Sequence, residues 1–138
     1  MGHALLSDVT GRLRPRRRYL AFVVLTVAFG LTVHFGASTP VSAWRDVLGD
    51  ALWASMIFWG LSLIAPAAQP GARAAAALAV CFAVEFSQLY HTRALDALRG
   101  TAVGRLALGS GFDPRDLAAY AAGVLAAALL DRIGSTHR

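Results

Sequence analysis

Lysine is absent from this 138-residue chain, and all thirteen basic residues are arginine. Charge of either sign is scarce, at 15% of residues, against about 25% in soluble domains. So few charges cannot cover a water-facing surface, which excludes an ordinary soluble domain. Cysteine occurs once, as Cys81 between Val80 and Phe82, so no intramolecular disulfide can form. A single thiol in an apolar run, with no activating neighbour in sequence, reads as a small buried hydrophobe. The motifs of soluble enzymes are missing too. There is no phosphate-cradling glycine loop, no His-Glu-x-x-His helix and no Gly-x-Ser-x-Gly elbow, and the Gly109-x-Gly111 pair is too short to count. Glu85 and His91 offer two metal ligands, but no third or fourth is evident, so neither a metal nor a cofactor is expected.

What the chain has in quantity is hydrophobic sequence, 57% of its residues. It falls into four runs: residues 19–37, 44–65, 72–91 and 114–130. Each is close to the ~20 residues a helix needs to cross about 30 Å of hydrocarbon. Helix breakers and caps separate them: Ser42 before the second run, Pro66 and Gln69-Pro70-Gly71 before the third, and Asp113-Pro114 before the fourth. The predicted fold is an all-α integral membrane bundle of four transmembrane helices. Residues 1–18 form a basic N-terminal segment, 19–132 the transmembrane domain, and 133–138 a tail. The first run also has the basic and apolar regions of a signal peptide, with Val41-Ser42-Ala43 as a cleavage site. Its length, and the membrane character of the three later runs, favour a retained helix.

Residues 92–112 are too charged to span, with Arg93, Asp96, Arg99 and Arg105. Leu95, Leu98, Ala102 and Leu106 recur at helical spacing, which predicts a short amphipathic helix in the interface between helices 3 and 4, weakened by Gly100 and Gly104. The arginines cluster at the edges of apolar runs rather than on one soluble face, which argues against nucleic acid as a partner. Arg12, Arg14, Arg16, Arg17 and Arg18 abut the first run, so both termini are expected in the cytoplasm and the chain in a bacterial cytoplasmic membrane. Small residues at four-residue spacing, Ala75, Ala79, Ala83 and Ser87 on the third helix and Ala119, Gly123 and Ala127 on the fourth, predict packing seams. Trp44 and Trp53 are expected near an interface.

Helices that alternate in direction bring the ends of runs one and three beside the starts of runs two and four. His34, Asp50, Glu85, Ser87, Gln88, His91, Asp116 and Tyr120 then share one end, the outer one in the expected orientation. The opposite half should hold almost no polar groups, since residues 57–65 and 74–80 contain only Ser62. Glu85, Gln88 and His91 stand at i, i+3 and i+6, so Glu85 and Gln88 share a helix face. A carboxylate at that depth is costly unless paired, protonated or wetted. Glu85 is therefore expected to face inward, toward Arg93 or Arg99 folding back, or toward Asp50 sharing a proton. The outer half sets Asp46, Asp50, Glu85, Asp96, Asp113 and Asp116 against five arginines, a balance that also suits a structural ion-pair network.

Several motifs carry a resemblance. They are Gly49-Asp50-Ala51-Leu52-Trp53, Glu85-Phe86-Ser87-Gln88-Leu89-Tyr90-His91, Leu95-Asp96-Ala97-Leu98-Arg99-Gly100-Thr101, Leu108-Gly109-Ser110-Gly111-Phe112, and the run from Asp116 through Tyr120 to Gly123. Taken in order, they resemble a family of small bacterial membrane proteins known only as a domain of unknown function, over residues 19–131. The Glu-x-x-Gln element and the last helix are also loosely similar to the VanZ-like family, whose founding member is linked to glycopeptide resistance. Members of that family tend to carry Asn where this chain has Tyr120. The resemblance implies a fold and a site location, with Asp50, Glu85, Gln88, Arg99 and Asp116 together, and no reaction.

Three functions stay open. One is a pocket in the outer leaflet for an anionic or lipid-linked envelope molecule, held by Arg93 and Arg99 and oriented by Asp50, Glu85, Gln88, His91 and Asp116. Another is an intramembrane enzyme with Glu85 as catalytic acid or base. The third is a structural or assembly subunit of a membrane complex. Membrane lipids, a lipid-linked envelope precursor and a membrane protein are the corresponding partners.

Overall fold

All secondary structure among the described residues is helical, and four helices are long and apolar enough to cross a membrane. The computed structural model describes residues 2–35, 43–109 and 111–136, with side chains in 16–35, 44–109 and 111–135. The Ser42 cap, Val41 of the cleavage motif, the end of the first run at 36–37, and Ser110 lie outside these residues. The long helices are α1 (Gly2–Phe35), α2 (Ala43–Ile64), α3 (Pro70–Ser87) and α6 (Pro114–Thr136); the short α4 (Arg93–Arg99) and α5 (Ala102–Leu108) lie between α3 and α6.

α2 is the hub, packing on α1, α3 and α6, while α3 also packs on α6. α1 leans on α2 and is little buried, with 6% of its spanning window inside the protein. Ala54, Phe58, Trp59 and Ser62 form the inward face of α2. Trp59 stacks on Phe22 of α1 at 4.4 Å and meets Phe58 edge-on at 5.1 Å. Such aromatic pairs add about 0.5–1.5 kcal/mol to the area they bury. Trp44 is exposed at the start of α2 and Trp53 is half-buried.

The small-residue seam on α6 holds, and the one on α3 does not. Ala119, Gly123 and Ala127 are buried, and the Ser55 hydroxyl donates to the Gly123 carbonyl at 3.0 Å. A Cβ added at Gly123 would collide with the Ala51 carbonyl oxygen, so backbone meets backbone at the α2–α6 crossing. On α3, Ala75, Ala79 and Ala83 are exposed, and the buried row is Arg73, Ala77, Cys81 and Glu85. The large residues of α3, Leu78, Phe82 and Phe86, share another ridge and none is fully buried, so side-chain size does not set the inward face. The two ionisable residues, one near each end, must be sheltered, and the i, i+4 ridge that joins them turns inward.

The expectation of a nearly apolar opposite end is overturned. Asp131 is 1% exposed and Arg73 5%. Arg73 donates to Asp131 at 2.8 Å and to the Tyr19 hydroxyl at 3.1 Å, and Tyr19 donates to Asp131 at 3.1 Å. Arg18 pairs with the same Asp131 and donates to the Gly134 carbonyl at 2.9 Å. This clasp joins α1, α3 and α6. Hydropathy ends the fourth run at residue 130, one residue short of Asp131; α6 continues for six more residues.

The interfacial segment is two helices rather than one. Thr92 and Thr101 cap them, accepting from the amides of Leu95 at 3.2 Å and Gly104 at 2.9 Å. The second threonine starts a new helix just after Gly100 ends the first. The apolar residues expected on its lipid side, Leu98 and Leu106, are exposed along with Val103.

The α2–α6 crossing and the clasp each give an expected outcome. Gly123→Ala forces α2 off α6 and costs about 1–3 kcal/mol as overpacking, whereas Gly60→Ala, whose Cβ meets open space, is neutral; denaturant titration in detergent compares them. Asp131→Asn leaves Arg18 and Arg73 facing each other without a carboxylate and costs about 3–5 kcal/mol in the same titration.

Candidate functional site

Glu85 is wholly buried in the last turn of α3. It sits nearer the helix end than the sequence suggests, because α3 stops at Ser87. Three successive i→i−3 bonds, from the amides of Gln88, Leu89 and Tyr90, tighten the chain there. The turn carries His91 off the helix, exposed, with its ring 3.1 Å from Asp96. Arg93 is exposed on α4. Neither joins the site.

Arg99 is buried but does not reach Glu85. Its guanidinium donates to the carbonyls of Ser87 at 2.6 Å and Tyr90 at 2.9 Å, and lies 3.6 Å from Asp96. It adds charged donors to the carbonyls at the end of α3, where the helix can no longer supply its full set of amides. Arg45 does the same for α1, donating to Val33 at 3.0 Å and His34 at 2.8 Å.

Glu85 is held by neutral donors instead. One carboxylate oxygen accepts from the Asp113 amide at 2.8 Å; the other accepts from the Tyr120 hydroxyl and the Gln88 side-chain amide, each at 3.0 Å. Asp113 is the N-cap of α6, its own carboxylate accepting from the Arg115 amide at 2.9 Å. In a capping box, a glutamate in the helix's first turn reaches back to the cap's N–H. Here Glu85 takes that part from a neighbouring helix, and so places a negative charge at the positive end of α6.

Gln88 packs against Gly109, whose φ of 69° favours glycine and whose missing Cβ leaves room for the Gln88 amide. The Gln88 Oε1 is buried and has no hydrogen-bond partner. Asp116 and Asp50 are both half-buried, and each lies close enough to the other and to Glu85 to interact electrostatically.

Of the sequence-derived site residues, the fold brings Asp50, Glu85, Gln88 and Asp116 together, sets Arg99 behind the end of α3, and leaves His91 and Arg93 outside. Sequence reasoning misses Tyr120 and the Asp113 amide as partners of Glu85. Tyr120 is one turn beyond Asp116 on the same face, a spacing that points to it; a backbone donor leaves no mark in sequence. Among the described residues, no group of His, Cys, Asp and Glu has metal-binding geometry.

The family model described as a protein of unknown function (DUF2809) matches residues 40–124. The matched stretch includes every group named around Glu85. No solved structure matches the chain.

Glu85→Ala strands three donors and is expected to cost upwards of about 3 kcal/mol, at 1–3 kcal/mol for each buried group left unpaired. Tyr120→Phe removes one donor and costs about 1 kcal/mol. In a double-mutant cycle with Glu85→Gln, measured by equilibrium unfolding, the two positions couple; additive effects would contradict the bond.

Proposed function

The chain belongs to the DUF2809 family, and on that premise we propose that it is a bacterial cytoplasmic-membrane protein whose outer-end acid pocket receives the cationic group of a membrane-resident molecule. The observation that carries this reading is the chemistry of the facing groups. Asp50, Asp116 and Glu85 lie within electrostatic reach of one another. Asp50 and Asp116 bring two acids together, and the three donors to Glu85 are all neutral. The spare Oε1 of Gln88 is a further acceptor. A cluster of acids and acceptors complements a donor-rich cation, such as the primary amine of a lipid or lipid-linked envelope molecule. The anionic ligand expected from sequence relied on Arg93 and Arg99; Arg93 is exposed on α4, and the Arg99 guanidinium is engaged at the end of α3.

Glu85 anchors the pocket, while the half-buried Asp50 and Asp116 are the groups a ligand meets. Glu85 has less support as a general acid or base, because both of its oxygens are taken and none of its surface is exposed. In this reading the N-terminal arginines and the inner clasp lie on the cytoplasmic side, and the pocket opens to the outer leaflet.

The test is thermal unfolding in lipid nanodiscs with added dodecylamine. The amine should raise the melting temperature of the wild-type protein, and Asp50→Asn should abolish the rise. A wild-type protein that gains nothing, or a gain that survives Asp50→Asn, overturns the proposal.

A further inference from the structure

The acid pocket has a basic neighbour that the fold itself does not account for. Arg115 is exposed in the first turn of α6, next to Asp116. Consecutive Cα atoms lie about 3.8 Å apart, so this arginine stands at the edge of the pocket. Its backbone amide donates to the Asp113 carboxylate, but its guanidinium makes no hydrogen bond or ion pair among the described residues. Arg45 and Arg99, at the same end of the bundle, are by contrast engaged with helix-end carbonyls. A cation in the first turn of a helix also sits at the wrong end of the dipole. Helix stability therefore gives no reason for Arg115.

The pocket itself has an unanswered acceptor. Gln88 is 4% exposed, its side-chain N–H is given to Glu85, and its Oε1 is buried without a partner. A buried acceptor is costly to leave unpaired, and an N–H of a bound ammonium would answer it. A quaternary nitrogen has no hydrogen to give, so this acceptor favours a primary amine. Beside it, the unengaged guanidinium of Arg115 offers a planar fork that matches phosphate oxygens. Acids and an acceptor next to a free guanidinium complement a molecule that joins an ammonium to a phosphate through a short linker.

We infer that the ligand of the acid pocket is an aminophospholipid of the phosphoethanolamine type, with its ammonium among Asp50, Asp116 and the Gln88 Oε1 and its phosphate at Arg115. This inference rests on the cationic reading of the pocket and names the molecule that carries the cation. The same headgroup chemistry exists in soluble phosphoethanolamine. The lipid is preferred because the pocket lies at the end of membrane-spanning helices, where acyl chains remain in the bilayer and the headgroup is held at the right depth.

The experiment is thermal unfolding of the full-length protein in phosphatidylcholine nanodiscs, titrated with dodecylamine, lysophosphatidylethanolamine, lysophosphatidylcholine or soluble phosphoethanolamine. Lysophosphatidylethanolamine should stabilise the wild-type protein with an affinity roughly fivefold above that of dodecylamine, or about 1 kcal/mol for one arginine near a phosphate. Lysophosphatidylcholine and soluble phosphoethanolamine should give no shift over the same range. Arg115→Gln should remove the fivefold advantage and leave the dodecylamine shift in place. Arg17→Gln, which takes the same charge from an exposed position at the opposite end of the bundle, should leave the advantage intact. If dodecylamine gives no shift, the cationic pocket fails and takes this inference with it. If dodecylamine acts, an advantage that is absent from the wild-type protein, or that survives Arg115→Gln, overturns this inference alone. A lysophosphatidylcholine shift equal to that of lysophosphatidylethanolamine also overturns it, because the N–H groups would then contribute nothing. An equal shift with soluble phosphoethanolamine overturns the assignment to a lipid.

Discussion

Inside hydrocarbon, every charge and every unfinished helix end has to find its partner within the protein, because no water is present to serve. Most of the polar structure here answers that demand. At three helix ends an arginine donates to backbone carbonyls: Arg45 on α1, Arg99 on α3 and Arg18 on α6. At the start of α6 the demand is reversed, and the chain's only glutamate covers an amide. Arginine suits the first task because its planar fork can reach two carbonyls at once and stays charged in apolar surroundings. The absence of lysine is consistent with that use.

The same demand sets the orientation of α3. The largest residues of α3, Leu78, Phe82 and Phe86, are not the ones it buries fully, so its two ends decide. Arg73 meets Asp131 and Tyr19 at one end, and Glu85 meets Tyr120, Gln88 and Asp113 at the other. Once both ends are fixed, Ala77 and Cys81 between them are buried, and the small face with Ala75, Ala79 and Ala83 is left outward. The apolar seam is a result of polar pairing rather than its cause.

This explains which parts could be read from sequence. The four helices follow from length and hydropathy alone, and Asp113-Pro114 marks the start of α6 because cap and proline act locally. The gathering of Asp50, Glu85, Gln88 and Asp116 follows from alternating helix direction. Partner identity does not follow, because it depends on distances set by several elements. Arg99 reads as a counter-ion for Glu85 from proximity in sequence, yet the early stop of α3 places the Ser87 and Tyr90 carbonyls nearer to it. His91 leaves the site for the same reason. The Arg18–Arg73–Asp131 clasp is hidden by a boundary: ending the fourth run at Leu130 stops one residue short of the acid that makes sense of Arg73.

The clasp also has a bearing on how the protein is made. Arg18 and Asp131 are 113 residues apart, so the first helix is synthesised long before the last acid exists. At about 5–20 residues per second, that gap is on the order of 6–20 seconds. During it, Arg18 and then Arg73 must wait at the bilayer edge, where their long side chains can extend toward headgroups and water. Arrival of Asp131 draws both inward and locks α1 to α6. A chain that stops short of this residue keeps two unanswered cations, which distinguishes an unfinished protein from a finished one before any ligand is present.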